Sequence, residues 1–200
     1  MIKTVIFDIG NVLAGFAWEE YFLSFGYPEE IFRRLKKATV GSRAWQEHDR
    51  GALTDDEILE LFIKNDPGIE KELKETLGNI NGMLVKYDYA IPWVQELKKK
   101  GYQVLVLSNF AAKAYRDCKD VLGFLDYVDG GILSFQDKMV KPEPEIYKLL
   151  LERYHLEPEE CVFLDDTEKN LPAARQFGIH TIHFVNRAQA LEELRKLGVE

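Results

Sequence analysis

Acidic side chains directly follow two apolar runs of this 200-residue sequence, at points where buried strands would end. Asp8 comes after one run and Asp165–Asp166 after another, while Ser108–Asn109 ends a third. In an open parallel sheet, ligands bind in the crevice outside the carboxyl ends of the strands. We therefore expect these side chains at one edge, with Lys141 brought there by a loop. Carboxylates can hold a divalent cation or attack as nucleophiles, while lysine and hydroxyl groups stabilise anionic oxygens.

Five short apolar runs predict the strands that would position this chemistry. The first ends at Asp8, and the other four are Tyr102–Phe110, Gly130–Gln136, Cys161–Asp166 and Ile179–Val185. Runs that are apolar on both faces are typical of parallel strands. Amphipathic helical segments alternate with them in the second half of the chain. This alternation predicts an α/β fold with a doubly wound parallel sheet.

The stretch between the first strand and this regular half has a different pattern. It contains the amphipathic helical segments "PEEIFRRLKKA" and "LTDDEILELFIKN", the second opened by Thr54 and Glu57 at capping-box spacing, and no convincing strand. We predict an inserted α-helical cap over residues 16–86. The core is then formed by residues 1–15 and 87–200.

Composition limits the kind of partner that the protein can have. The formal net charge of -8 disfavours nucleic acid and anionic membranes, which are bound mainly through an excess of Lys and Arg. The two cysteines show no metal-binding or redox spacing, so we expect reduced thiols. No leader or long apolar span is recognisable. These features predict a cytoplasmic protein without a membrane or nucleic-acid partner, and they leave the oligomeric state open.

Four strings in the sequence together resemble the four motifs of the haloacid dehalogenase (HAD) superfamily of hydrolases. They are "FDIGNVL", "VLSN", the lysine of "MVKPEPEIY" and "VFLDDTEKN". The resemblance covers the whole chain and implies a Rossmann-like core with a helical cap. Within the superfamily, "DIGNV", "HDRGALTDDE" and "VKPEPEIY" look most like the branch of sugar-phosphate phosphatases and the phosphatase domain of soluble epoxide hydrolase. The implied activity is hydrolysis of a small phosphorylated substrate.

The resemblance implies a nucleophile and a metal site. Asp8 would be both nucleophile and metal ligand, with the backbone carbonyl of Gly10 and the carboxylate of Asp166 as further ligands. Oxygen ligands of this kind suit Mg²⁺. A divalent cation would neutralise the charge of an anionic phosphate monoester before a carboxylate attacks it.

The remaining motif residues would act on the phosphoryl group or hold other residues in place. Lys141 would balance developing charge on the phosphoryl oxygens, and Ser108 and the amide of Asn109 would donate hydrogen bonds to them. Asp165 and Asn170 would orient Lys141 or metal-bound water.

Each of these residues also has an ordinary structural interpretation. A lone acid at a strand end is commonly a helix N-cap or a solvated loop residue, and Ser108 and Asn109 could cap the following helix. Lys141 alone would be an ordinary surface lysine. Caps do not, however, require a lysine and three acids at one sheet edge, so the combination favours the functional interpretation.

The cap segment contains a polar and aromatic cluster that either contacts substrate or packs within the cap. Its members include Arg43, Trp45 and His48. The sequence alone does not choose between these roles.

One position departs from the superfamily pattern. Most phosphatases of this superfamily carry an aspartate two residues after the nucleophile, as general acid for the leaving group, but this chain has Gly10 there. His48 is a candidate replacement, because an unperturbed imidazole can donate a proton near neutral pH. Two alternative functions also remain: a catalytically weak member that binds a phosphorylated ligand or a protein, and a metal-independent 2-haloacid dehalogenase.

Overall fold

A five-stranded parallel sheet forms the centre of the computed structural model, which describes residues 1–199. In spatial order its strands are β5, β4, β1, β6 and β7, and β2 and β3 form a separate antiparallel pair. In chain order the strands are β1 (Thr4–Phe7), β2 (Ala14–Phe16), β3 (Leu84–Lys86), β4 (Gln103–Ser108), β5 (Gly130–Leu133), β6 (Cys161–Asp165) and β7 (His180–His183).

The α-helices lie in the connections between these strands. In chain order they are α1 (Trp18–Leu23), α2 (Glu29–Ala38), α3 (Arg43–Arg50), α4 (Asp55–Asn65), α5 (Glu70–Leu77), α6 (Ala90–Lys99), α7 (Ala112–Asp117), α8 (Ser134–Asp137), α9 (Pro144–Tyr154), α10 (Leu171–Gln176) and α11 (Arg187–Lys196). Each of these helices is too short or too polar to cross a lipid bilayer.

Both faces of the parallel sheet are buried under helices. Along β1, Val5 and Phe7 join one apolar cluster with residues of α6 and α11, whereas Ile6 joins a second cluster with residues of α9 and α10. Successive residues of a strand point to opposite faces, so a strand covered on both sides must be apolar throughout. The predicted α/β, doubly wound parallel sheet is confirmed.

The sheet register brings the ends of three strands to one edge. Phe7 at the end of β1 pairs with Val106 of β4 and with Leu164 of β6. Asp8 therefore lies level with the last residues of both neighbouring strands.

Residues between β2 and β3 fold around a separate apolar cluster. It contains side chains from α1, α2, α4 and α5, among them Phe22, Leu35, Phe62 and Leu73. The capping box predicted at the start of α4 is present, because the Thr54 hydroxyl accepts from the Glu57 amide at 3.3 Å and the Glu57 carboxylate accepts from the Thr54 amide at 2.8 Å.

Two sequence-based expectations about strands are wrong. The stretch 16–86 is not free of strand, since β3 (Leu84–Lys86) pairs antiparallel with β2 (Ala14–Phe16). β3 has three residues, two of them exposed, and is too short to give an alternating pattern. The apolar run Gly130–Gln136 also changes structure part-way, because β5 ends at Leu133 and helix α8 begins at Ser134.

Candidate active site

The Lys141 ammonium lies between two buried carboxylates at the carboxyl edge of the sheet. Its Nζ is 3.0 Å from Oδ1 of Asp8 and 2.7 Å from Oδ2 of Asp165. Lys141 is 1% exposed, Asp8 7% and Asp165 0%. One cation between two buried carboxylates leaves a negative charge without a partner, which is costly away from water. The arrangement therefore favours a further positive charge.

The segment after β6 fixes the second carboxylate of this group. Asp165 accepts hydrogen bonds from Asn170 Nδ2 at 2.9 Å and from the Thr167 amide at 2.7 Å. Both of its oxygens are thus engaged within the protein, by Lys141 and by its own loop. Asp165 positions Lys141, and Asn170 positions Asp165.

Asp166 points to a different partner. Its Oδ2 accepts from Asn11 Nδ2 at 2.9 Å, and its Oδ1 accepts from the Thr167 hydroxyl at 3.2 Å. Asn11 adopts a left-handed backbone conformation (φ 56°) in the turn after Asp8, and its side-chain oxygen accepts from the Phe16 amide. The turn after β1 thus holds the carboxylate that follows β6.

The loop after β4 holds the backbone of Lys141. Oδ1 of Asn109 accepts from the Lys141 amide at 2.7 Å, and Nδ2 of Asn109 donates to the Lys141 carbonyl at 3.0 Å. Ser108 is 1% exposed, and its hydroxyl lies near enough to the Asp8 carboxylate to lower the pKa of that group. The Asn109 side chain therefore has a positioning role besides the anion contact that the sequence predicts for its amide.

Burial and like charges shift the titration of the central pair. Burial raises the pKa of Asp8 to about 7, and the charges of Asp165 and Asp166 add to the rise, while Lys141 and the Ser108 hydrogen bond oppose it. Burial disfavours the charge of Lys141, but Asp8 and Asp165 outweigh burial and raise the pKa of the ammonium. Added positive charge beside Asp8 would favour its ionised, nucleophilic form.

The donor set fits a hard divalent cation. Asp8, Asp165 and Asp166 each offer a carboxylate oxygen within 4.8 Å of the others. Asp165 is fully buried and does not line the cavity, whereas Asp8, Asp166 and Gly10 do, so Asp8 and Asp166 are the better carboxylate ligands. An all-oxygen set of this kind matches the preference of Mg²⁺.

A cavity of about 240 Å³ lies above these residues, between the sheet edge and the helices of the insert. Its floor is polar and charged: Asp8, Ser108, Asn109, Lys141, Asp166, Lys169 and Asn170. Its upper wall is mainly apolar and aromatic: Phe16, Trp45, Ile80, Met83, Leu84 and Phe110. An anionic group on the floor would thus leave the rest of a bound molecule against apolar surface.

A family model for haloacid dehalogenase-like hydrolases matches residues 2–178 of the sequence. The chain belongs to this family. The fold and the family that the sequence predicts are thereby confirmed, and the chain is a hydrolase.

Phosphatases are among the relatives that match this HAD-like hydrolase over nearly its whole length. It is 29% identical to D-ribitol-5-phosphate phosphatase from Bacteroides thetaiotaomicron, over 97% of each chain. It is 25% identical to the sesquiterpene phosphatase astK from Aspergillus oryzae, over 98% of this chain and 96% of the relative. Bifunctional epoxide hydrolase 2 from Rattus norvegicus is 40% identical over 50% of this chain, a stretch that is only 19% of the rat protein.

A solved structure resembles the hydrolase in fold. A HAD family enzyme from Bacteroides thetaiotaomicron, crystallised in complex with magnesium and inorganic phosphate, superposes with a TM-score of 0.69. The two chains are 26% identical, and the match covers 91% of this chain and 93% of the other.

The three residues of α3 singled out in the sequence have different positions in the hydrolase. Trp45 and His48 line the cavity, whereas Arg43 is exposed and does not. His48 and Asp49 follow Trp45 by three and four residues, so all three share one face of α3. Arg43 lies outside that face. The structure does not bring Arg43 to the site.

The setting of His48 disfavours the proton-donor role considered for it. Burial lowers the pKa of His48 to about 4; Asp55 opposes this shift, while Lys113 and Arg116 add to it. Its Nδ1 is buried without a hydrogen-bond partner among the described residues. At neutral pH this imidazole is therefore not in the protonated form that would donate a proton to the leaving group.

Three residues of the site have no clear signal in the sequence. Asn11, Asp49 and Lys169 line the cavity beside the motif residues. Asn11 stands within the first motif, and its place beside Asp8 could have drawn attention to it. Lys169 stands within the fourth motif string and Asp49 within "HDRGALTDDE", but each is one charged residue in a segment rich in charge, so the strings alone do not assign either to the site.

Proposed function

We propose that this hydrolase is a Mg²⁺-dependent phosphatase that hydrolyses a small phosphorylated metabolite through an aspartyl-phosphate intermediate. The observation that carries the proposal is the Lys141 ammonium held 3.0 Å from Asp8, with the Asp166 carboxylate in the same cavity. Support also comes from the phosphatases among its relatives and from the neighbour that binds magnesium and phosphate.

In the proposed first step, a carboxylate oxygen of Asp8 attacks phosphorus in line with the leaving oxygen. Lys141 balances charge that develops on the phosphoryl oxygens, while Ser108 and the amide of Asn109 donate hydrogen bonds to them. Water then attacks phosphorus, the bond between phosphorus and the Asp8 oxygen breaks, and inorganic phosphate is released. When bound by Asp8, Asp166 and the Gly10 carbonyl, Mg²⁺ would supply the positive charge that keeps these anions together.

The alternative functions predict different outcomes in simple assays. A catalytically weak binding protein would release no phosphate from any monoester. A dehalogenase would release halide from a 2-haloacid without metal. We expect phosphate from a generic aryl phosphate and no halide from the haloacid.

The metal proposal predicts a selective effect of removing Asp166. Asp166→Ala removes one of the two preferred carboxylate ligands, so the Mg²⁺ concentration for half-maximal turnover should rise by about tenfold or more. The measurement is phosphate release from p-nitrophenyl phosphate against Mg²⁺ concentration, with Asp120→Ala as control because Asp120 is exposed and lies outside the cavity. Hydrolysis by the wild type that persists in excess chelator would refute the metal proposal.

Two classes of leaving group are compatible with a cavity of this size, and the first is a sugar or sugar alcohol. A relative that acts on D-ribitol-5-phosphate supports a sugar phosphate as substrate. The polar groups of the cavity floor would then hold the phosphate, and hydroxyl groups would meet the wall around Trp45 and His48.

The second class is an apolar alcohol. The wall formed by Phe16, Trp45, Met83 and Phe110 offers few hydrogen-bond partners for hydroxyl groups, and the astK relative is a sesquiterpene phosphatase. Hydroxyl groups left without partners against an apolar wall would lose affinity.

A substrate panel distinguishes these two classes. The panel would compare kcat/KM for pentose, hexose and polyol phosphates with that for isoprenoid and aryl phosphates of similar size. Trp45→Ala removes part of the apolar wall and should raise KM most for the preferred class. If a sugar phosphate has the highest kcat/KM, the result supports the first class. If an isoprenoid or aryl phosphate has the highest kcat/KM, it supports the second.

We further propose that the enzyme works in the cytoplasm. Cys118 and Cys161 are both free and buried, as expected for a protein that keeps its thiols reduced.

A further inference from the structure

The proposed reaction leaves one group without a proton. When the bond between phosphorus and the leaving oxygen breaks, the electron pair stays on that oxygen, and an alkoxide is a poor leaving group unless it is protonated. Position 10 has no acid to supply the proton, because Gly10 stands there. A Cβ at Gly10 would meet nothing within 4 Å, so the glycine is not required there by a close contact to a Cβ.

Asp49 presents a carboxyl group to the same cavity from the cap side. It lies in the last turn of α3, on the helix face that carries Trp45 and His48, and it lines the cavity together with Asp8. Among the described residues, no hydrogen bond or ion pair joins the Asp49 carboxyl to Asp8 or Lys141. The space between these groups is therefore available to a substrate.

The last turn of α3 is fixed to the core by three contacts, which we call the α3 anchor. The Ser134 hydroxyl donates to the Asp49 carbonyl at 2.5 Å, Arg50 forms a two-pronged ion pair with Glu143 at 2.6 and 2.9 Å, and Lys138 donates to the Gly51 carbonyl. The anchor holds the Asp49 backbone against the core rather than leaving it on a mobile cap.

Gly51 allows the close approach that the α3 anchor requires. It has a φ of 66°, and a Cβ there would lie 2.6 Å from Cβ of Phe135. Any other residue would push the last turn of α3 away from the core. The position of Asp49 over the site is thus built into the packing.

We propose that the Asp49 carboxyl group is the proton donor for the leaving oxygen and the base for the water that follows. This proposal rests on the proposed phosphatase function and adds the acid that position 10 lacks.

The electrostatic setting of Asp49 supports the role. Burial and the negative charge of Asp8 raise the pKa of Asp49 to about 8, although the charges of Lys141 and Lys169 oppose the rise. The carboxyl group is therefore mostly protonated at neutral pH and close to the pKa that suits a general acid. The neighbouring His48 has the opposite shift and is neutral there.

The proton and the electron pairs balance over the two steps. In the first, an Asp8 oxygen forms a bond to phosphorus, the bond to the leaving oxygen breaks, and the proton on Asp49 moves to that oxygen. In the second, the Asp49 carboxylate takes a proton from water. The water oxygen bonds to phosphorus as the bond between phosphorus and Asp8 breaks. Asp49 ends protonated, as it began.

The test is a leaving-group series on single-turnover phosphoenzyme formation. Phosphate monoesters from p-nitrophenyl phosphate to simple alkyl phosphates are compared in wild type, Asp49→Asn, His48→Ala and Asp56→Asn. A positioned general acid contributes about 10²–10⁴ in rate, so Asp49→Asn should lose about 10²-fold or more on alkyl phosphates. On p-nitrophenyl phosphate, whose leaving group needs no proton, it should lose less than about tenfold.

Asp49→Asn is a mild substitution for the fold, because an amide replaces a carboxyl group that is largely neutral already. Asp56→Asn is the matched control, since Asp56 is an exposed cap acid that does not line the active-site cavity. Introducing Gly10→Asp into Asp49→Asn should recover the alkyl rate, because a Cβ at position 10 meets no atom within 4 Å and the new carboxyl group would lie beside Asp8.

The series separates a proton donor from a merely structural residue. An Asp49→Asn variant that slows all esters by the same factor, or none, overturns the proposal, and so does a selective loss of alkyl turnover in His48→Ala instead. A wild type that releases no phosphate from any ester refutes the phosphatase function itself, which is a separate failure.

Discussion

Asp8→Asn is expected to abolish phosphate release while leaving the fold intact. The amide keeps the size of the side chain but loses both the attacking carboxylate and the anionic metal ligand. Removal of a catalytic nucleophile typically costs several orders of magnitude, so we expect a loss of about 10³-fold or more in kcat. The fold should persist because Lys141 keeps its ion pair with Asp165 at 2.7 Å.

The comparison requires activity and structure from the same samples. Phosphate release at saturating Mg²⁺ gives kcat, and circular dichroism with thermal melting reports the fold. Asp120→Asn, at an exposed position, serves as the control. A folded Asp8→Asn variant that keeps most of its activity would eliminate Asp8 as the nucleophile.

Lys141→Met should lower both turnover and stability, in contrast to Asp8→Asn. Lys141 is the ammonium that both Asp8 and Asp165 contact, and it is 1% exposed. Removing one partner of a buried ion pair costs about 3–5 kcal/mol, because the remaining charge stays buried without compensation. Methionine fills most of the volume, so the loss reports charge rather than a cavity.

The stability deficit of Lys141→Met should depend on pH in a defined direction. The pKa of Asp8 is already raised to about 7, and Lys141 is one of the groups that oppose this rise. Losing the lysine should therefore raise the pKa of Asp8 further. A carboxyl with a raised folded-state pKa binds more protons folded than unfolded, so stability falls as pH rises between about 4 and that pKa.

Denaturant unfolding with chelator present at pH 5 and pH 8 measures this dependence. The free energy of unfolding of Lys141→Met should fall further below wild type at pH 8 than at pH 5. Lys119→Met, at an exposed lysine, is the control and should match wild type at both. An equal deficit at the two pH values would mean that packing, not charge, is what Lys141 contributes.

Strand ends were the part of the site that the sequence could predict. Apolar runs followed by acids indicated where Asp8, Asp165 and Asp166 lie, because the carboxyl ends of parallel strands meet at one edge. Lys141 was expected at this edge on a loop, and its role on the phosphoryl group came from the resemblance to a family, since a lysine on a loop has no periodic signal. Its contact with both Asp8 and Asp165 required the structure.

Sequence pattern gave the wrong secondary structure where tertiary contacts determine it. The run Gly130–Gln136 is apolar enough for one strand, yet Ser134 begins α8 and donates across to Asp49. β3 forms because it pairs with β2, about seventy residues earlier in the chain, and its own sequence shows little strand pattern.

Asp49 illustrates the same limit within the site. In the sequence it is one acid in a charged segment, and the string "HDRGALTDDE" that contains it contains Asp56 as well, so the string alone does not point to Asp49. Its partial burial and its place over the cavity arise from the α3 anchor, which joins residues more than eighty positions apart. His48, one residue earlier, drew attention by residue type alone, and its burial gives it the wrong protonation state.

Trapping the covalent intermediate would show whether Asp8 is the nucleophile. Wild-type enzyme mixed with Mg²⁺ and an excess of p-nitrophenyl phosphate is quenched in acid within one turnover, and the peptides are analysed by mass spectrometry. We predict one phosphoryl group on the peptide that contains Asp8, attached to the Asp8 carboxylate, and none in Asp8→Asn. Rapid hydrolysis with no phosphoryl group on Asp8 at any quench time, or with the label on another residue, would contradict the account.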